Sequence, residues 1–179
     1  MGKKYRKNEL NNDTNARISL DGAKYEGKLA FYIGSLDKGG AERVFVNLSE
    51  YFQSKGWQVV MVTQYRKEEE YALADGIRRI ISDILPEETS GSRLLNFYRR
   101  VSRLHRIWKE ERPDIALSCV GKNNFMNIVT TMFTGTKPVV SVVGEAGEEY
   151  PNRLMKFLAN FLFPFASGVI LQTERSRAF

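Results

Sequence analysis

With one cysteine in 179 residues, the chain cannot build a disulfide framework of its own, which fits a reducing compartment. That cysteine, Cys119, lies in an apolar run and reads as a small core residue. The single histidine, His105, has no Cys or His companions, so no metal-ligand set is expected. No apolar run reaches the ~18–20 residues of a membrane-spanning helix. The longest candidate, Leu154 to Ile170, is interrupted by Lys156, Asn160, Pro164 and Gly168. The first residues are basic but lack the apolar stretch of a secretory signal. Arg6 stands where a myristoylation signal needs Ser or Thr. The expectation is a cytoplasmic protein, at most peripheral on the inner face of the plasma membrane.

What is present is ordinary for a globular α/β domain: 42% hydrophobic and 27% charged residues. The formal net charge of +6 favours an anionic partner without choosing among nucleic acid, membrane and phosphorylated ligand. Residues 1–28 are polar and aperiodic and read as a tail, leaving 29–179 as one domain. Short apolar runs alternate with helical patterns. Strands are expected at Leu29–Ser35, Trp57–Gln64, Arg78–Ile84, Asp114–Val120, Pro138–Val143 and Gly168–Gln172. Helices are expected at Ala41–Lys55, Ser92–Glu111, Phe125–Phe133 and Arg153–Phe163, with Gly56 ending the first and Pro113 following the second. The pattern predicts a doubly wound, Rossmann-like parallel sheet of about six strands with helices on both faces. Ligands of such sheets bind beyond the strand carboxyl ends. Three loops should meet there: Gly34–Gly40, Gly121–Asn124 and Gly144–Asn152.

The stretch LAFYIGSLDKGGAERV, Leu29 to Val44, is strand, glycine turn and helix start. Free N–H groups and the positive helix end converge at such a turn and suit an anion. Its spacing is neither G-x-G-x-x-G nor a P-loop, which leaves a longer loop ending in Gly39–Gly40. That pair either exposes bare backbone to a ligand or makes only a tight helix start. On Ser92–Arg112, Arg93, Arg99, Arg100, Arg103, Arg106, Lys109 and Arg112 face only Glu110 and Glu111, with Phe97, Tyr98 and Trp108 interleaved. Such a helix suits an anionic inner-leaflet membrane surface, or is a solvated face. The apolar segment Leu154–Phe165 is a second candidate contact. No nucleic-acid module is visible, so no nucleic-acid partner is expected.

GGAERV at Gly39–Val44, the helix after it, FQSKGWQVVMVT and PDIALSC resemble the N-terminal domain of family 4 glycosyltransferases of the GT-B fold. The resemblance covers about Leu29 to Phe179 and lies with the bacterial branch that builds cell-surface polysaccharide from nucleotide sugars. It implies one acceptor-side half of a GT-B fold and transfer from a nucleoside-diphosphate sugar, UDP-sugar foremost, with retention and no cofactor or metal. The acceptor would be a glycan or lipid-linked glycan. Gly39 and Gly40 would admit the donor, Glu42 and Arg43 would face the acceptor, and Asn123 and Asn124 would face it from the fourth-strand loop. In the fifth-strand loop relatives of this branch often carry Ser-Glu-Arg-Asn, and others a histidine near the acceptor, whereas this chain reads Gly144-Glu145-Ala146-Gly147. Only Glu145 matches, and it is the catalytic candidate. The altered loop implies a different acceptor. No E-x7-E donor motif follows, so a C-terminal GT-B domain is expected in cis or in trans and the chain alone is expected to be inactive. Two other readings stay open: a non-catalytic membrane-docking subunit that recruits a donor-binding chain, and a small nucleotide-binding α/β protein of another class.

Overall fold

The computed structural model describes residues 27–84, 89–144 and 146–172. Near-continuous apolar runs make strands that can be buried on both sides, and this is what the sheet uses. The strands are β1 (Lys28–Ile33), β2 (Gln58–Thr63), β3 (Arg78–Ile81), β4 (Ile115–Cys119), β5 (Lys137–Val142) and β6 (Gly168–Leu171). They form one sheet in the order β3-β2-β1-β4-β5-β6, with every neighbouring pair parallel. Strand order reverses between β1 and β4, and the crevice of a doubly wound sheet opens at that reversal.

Helix α1 (Gly40–Ser54) covers one face, where Phe45 and Val46 join Phe31, Ile33, Met61 and Leu117 in the core. Helices α2 (Arg93–Glu111), α3 (Lys122–Thr131) and α5 (Arg153–Leu162) form a layer on the other. There Leu104, Ile107 and Trp108 pack on Ala30, Tyr32 and Val60, and Trp108 donates its indole N–H to Thr130 Oγ1 at 2.9 Å. Cys119 is buried, and desolvation pushes its thiol pKa up, with the charges of Glu42 and Glu149 adding to it.

Several expected boundaries shift. Residues 1–26 of the expected tail lie outside the described residues, while Lys28 already opens β1, its Nζ 2.7 Å from Glu111 Oε2. Gly56, at φ +90, does follow the end of α1. Helix α3 starts at Lys122, so Asn123 and Asn124 occupy its first turn rather than a polar loop. The Gly144–Asn152 loop contains a one-turn helix, α4 (Ala146–Glu149). Leu94, Leu95 and Tyr98 share helical spacing with the buried Leu104 and Trp108 of α2, yet all three are exposed. The reason is length: a 19-residue helix runs about 28 Å, and a six-residue strand about 20 Å. The first turns of α2 overhang the strand carboxyl ends.

Candidate functional site

Beyond the carboxyl ends of β1 and β4 lies an open cleft of about 710 Å³. Its walls include Gly34, Glu42, Gln64, Tyr65, Asp83, Phe97, Arg100, Val120, Lys122, Asn123 and Met155. At its floor Gln64 Nε2 donates to Tyr32 Oη at 2.9 Å and to Asn123 Oδ1 at 2.7 Å. Burial pushes the Tyr32 phenol up to about 12, so it stays neutral. At the rim, Arg100 Nε pairs with Asp83 Oδ1 at 2.6 Å.

The β1 side of the cleft is tied at its root and bare at its tip. Glu70 accepts from Leu36 N–H at 3.2 Å and from Lys67 N–H at 3.0 Å. Arg79 holds the same carboxylate at 2.5 and 3.0 Å, and keeps the Glu70 pKa down at about 2. Asp37 pairs with Lys67 and bridges to Glu70 in the antiparallel sense. The charged segment after β2 thus fastens the glycine loop. Past that anchor Gly39 is the N-cap of α1, and among the described residues no side chain caps it. The opening N–H groups of α1 have no cap to receive them.

Gly39 has ordinary extended torsions, φ −100 and ψ 170, so it is not required for a left-handed turn. Its role is space: a Cβ there would lie 2.3 Å from Glu42 Oε2. The Glu42 carboxylate therefore occupies the room that Gly39 leaves, while Gly40 faces open space. Glu42 lines the cleft and has no hydrogen-bond or ion-pair partner among the described residues. Arg43 is exposed and, with Gly39 and Gly40, lies outside the cleft walls.

The β4 side is the opposite. Val120 has φ +69, a strained conformation for a β-branched residue, and Gly121 follows at φ +43. Glu149 holds this turn: its Oε2 accepts from Gly121 N–H at 3.0 Å, and its Oε1 accepts from Val143 N–H at 2.6 Å and Gly144 N–H at 3.2 Å. The Glu149 oxygens are thus spent on backbone rather than offered to a ligand. Asn124 was expected to face the acceptor, and this is corrected. It is 0% exposed, bonding Ser118 Oγ at 2.9 Å, the Ser141 carbonyl at 3.0 Å and Tyr150 Oη at 3.1 Å. On the first turn of α3 its side chain points between β4 and β5, so it joins strands instead of binding ligand. Asn123, one position earlier, does line the cleft. Glu145 lies outside the described residues.

The residues that sequence reasoning missed here are Gln64, Tyr65, Asp83, Phe97 and Lys122. The sheet order brings them together from four separate segments. Lys122 stood in a loop already singled out, Gln64 ends one expected strand and Asp83 is next to last in another, so strand-end polarity was the available signal. The cleft offers an unpaired carboxylate, amides, a lysine and two exposed rings, Tyr65 and Phe97. That mixture suits a ligand with many hydroxyl groups and an apolar face. No cluster of three or more His, Cys, Asp or Glu that could hold a metal occurs among the described residues.

The family model for Glycosyltransferase Family 4 matches residues 38–173. The chain belongs to that family. The match takes in GGAERV and every element of the sheet from α1 onward. No curated protein matches the chain. Among solved structures it is similar to a sucrose-phosphate synthase from Thermosynechococcus elongatus, with TM-score 0.65 and 12% identity over 85% of this chain and 44% of that one. Anabaena HepE, solved in complex with UDP, aligns with TM-score 0.59 and 14% identity over 84% of this chain and 39% of HepE. MurG of Acinetobacter baumannii aligns with TM-score 0.57 and 17% identity over 82% of this chain and 41% of MurG. The chain therefore spans less than half the length of each of these proteins, and the likeness is one of fold. That fold is the doubly wound, Rossmann-like half of a GT-B architecture expected from the sequence.

Proposed function

We propose that this family 4 domain is the acceptor-side half of a glycosyltransferase that moves a sugar from a nucleoside-diphosphate sugar to a glycan or lipid-linked acceptor. The observation that carries the reading is the unpartnered Glu42 carboxylate at the cleft, beside the uncapped start of α1. Glu42 accepts hydrogen bonds from acceptor hydroxyls. Asn123, oriented by Gln64, and the ring of Tyr65 hold the sugar opposite it. Lys122 and the open N–H groups of α1 supply positive potential where the leaving diphosphate gains charge. Gly40 lets the donor approach bare backbone. The UDP held by HepE supports a UDP-sugar as donor. Binding both substrates in one cleft supplies proximity, and transfer proceeds with retention.

The donor is gripped mainly by a second GT-B domain, joined in cis or supplied in trans, so this chain alone is inactive. The exposed arginines of α2 meet an anionic inner-leaflet surface, which suits an acceptor carried on lipid.

The test is titration of the chain with UDP, NAD and a short-chain lipid-diphosphate sugar, read by saturation-transfer NMR and thermal shift. The lipid-linked sugar is expected to bind and to lose affinity in Glu42→Gln. A rise in melting temperature with NAD alone would overturn the reading. So would acceptor binding that Glu42→Gln leaves unchanged.

A further inference from the structure

Along α5 and the 3-10 turn that follows it (Phe163–Phe165), Leu154, Phe157, Phe161 and Phe165 form a continuous outward stripe. Each is between 55% and 66% exposed. The spacing of three, four and four residues places them on one side of the helix, while Ala159 and Leu162 turn inward to the core. The rings stack in sequence: Phe157 on Phe161 at 6.3 Å and 11°, then Phe161 near Phe165 at 6.0 Å. The stripe is thus an ordered ridge, and nothing among the described residues covers it.

Charge indicates what does. Helices α2, α3 and α5 share one layer and carry nine basic residues against two acidic ones. One of the two acids, Glu111, is turned inward to Lys28 and Arg78. Helix α1, on the opposite face, carries Glu42 and Glu50 against Arg43. The positive charge is therefore concentrated on the side that bears the phenylalanine ridge, and Arg153 and Lys156 flank the ridge itself. A second copy of so basic a face would be repelled. Leucine and phenylalanine without hydrogen-bonding neighbours are poor readers of nucleic-acid bases, whereas apolar side chains ringed by cations match the boundary between acyl chains and anionic headgroups.

The start of α2 repeats the motif. Leu94, Phe97 and Tyr98 are exposed beside Arg93 and Arg100. Phe97 and Arg100 of α2, and Met155 of α5, also line the cleft. The two apolar patches therefore bracket the cleft mouth.

We propose that the Leu154–Phe157–Phe161–Phe165 ridge inserts into an anionic lipid bilayer, beside the start of α2, and sets the cleft mouth against the membrane. This deepens and rests on the reading of α2 as membrane-facing, and it is testable without transferase activity. The 179-residue chain is mixed with phosphatidylcholine vesicles, with and without about 30% phosphatidylglycerol, across a salt series and separated by flotation. Binding to the anionic vesicles alone is expected. Phe157→Ser with Phe161→Ser should lower the partition roughly a hundredfold at every salt concentration, because the lost term is apolar. Arg106→Glu with Lys109→Glu should lower it roughly tenfold or more at low salt only. These substitutions are on exposed positions, and unchanged melting curves confirm that the variants fold. If the charge variant loses binding and the phenylalanine variant does not, the ridge proposal is overturned and the α2 reading stands. If the wild-type chain floats with no vesicle, both fall. A dimer in sedimentation that the phenylalanine variant dissolves, or binding to RNA in preference to vesicles, also overturns it.

Discussion

The four described helices longer than one turn start at the carboxyl edge of the sheet, and they start in two ways. Helices α2 and α5 are capped by their own sequence: Ser92 Oγ accepts from Leu95 N–H and Asn152 Oδ1 from Met155 N–H, at 3.4 and 2.8 Å. Helices α1 and α3, which flank the reversal of strand order, have glycine N-caps, Gly39 and Gly121, and no side-chain cap. Away from the switch point the chain satisfies its own donors. At the switch point α1 is left open, which costs stability and keeps positive potential available to a ligand, whereas at α3 the Gly121 N–H goes to the Glu149 carboxylate and those of Asn123 and Asn124 go to the Val120 and Gly121 carbonyls. The two glycine-capped starts therefore differ from each other. The α3 start is held rigid from beneath by Asn124 and Glu149, while the α1 start is tied only at its root, by Glu70.

That difference can be broken from the rigid end first. Asn124→Leu removes three buried hydrogen bonds and strands the groups they served. It should cost about 4 kcal/mol in urea unfolding, and a loss under 1 kcal/mol would mean that the α3 start does not depend on it. Acid attacks the root of the α1 loop. Glu70 is held at about 2 against its ordinary 4.5, so its stabilisation is complete above pH 4.5 and drains away as pH falls toward 2. Discounted for the tight coupling to Arg79, it should amount to about 2 kcal/mol, seen as a wild-type melting curve that falls in this window while Glu70→Gln stays flatter. On a capped helix, Asn152→Ala should cost about 1 kcal/mol by thermal unfolding, a loss that the bare α1 start has already accepted. The smallest structural effect belongs to the open tip. Glu42→Gln should change stability by less than about 0.5 kcal/mol and yet weaken acceptor binding in NMR titration, because the carboxylate makes no hydrogen bond or ion pair among the described residues.

The same contrast explains what could be read in advance. Near-continuous apolar runs such as LAFYI and WQVVMVT announce strands through near-neighbour patterning, and Gly39–Gly40 and Gly56 announce a helix start and stop through local conformation. Asn123 and Asn124 show the limit. Adjacent and chemically identical, they looked interchangeable, and one lines the cleft while the other is buried between β4 and β5. One residue of helix rotates a side chain by about 100°, so an error of three residues in where α3 begins hides which of them faces the ligand.

By itself, then, the sequence determined the parallel α/β sheet, the glycine start of α1, the family and the excess of basic residues on α2, because each is written in neighbouring residues. Tertiary structure alone decided that Glu149 serves three backbone N–H groups, that Arg79 neutralises Glu70, and that Glu42 is left unpaired. It also decided that the ridge on α5 lies in the same layer as the arginines of α2. Those outcomes depend on which segments the strand order brings within hydrogen-bonding or packing distance, across separations that local pattern does not encode.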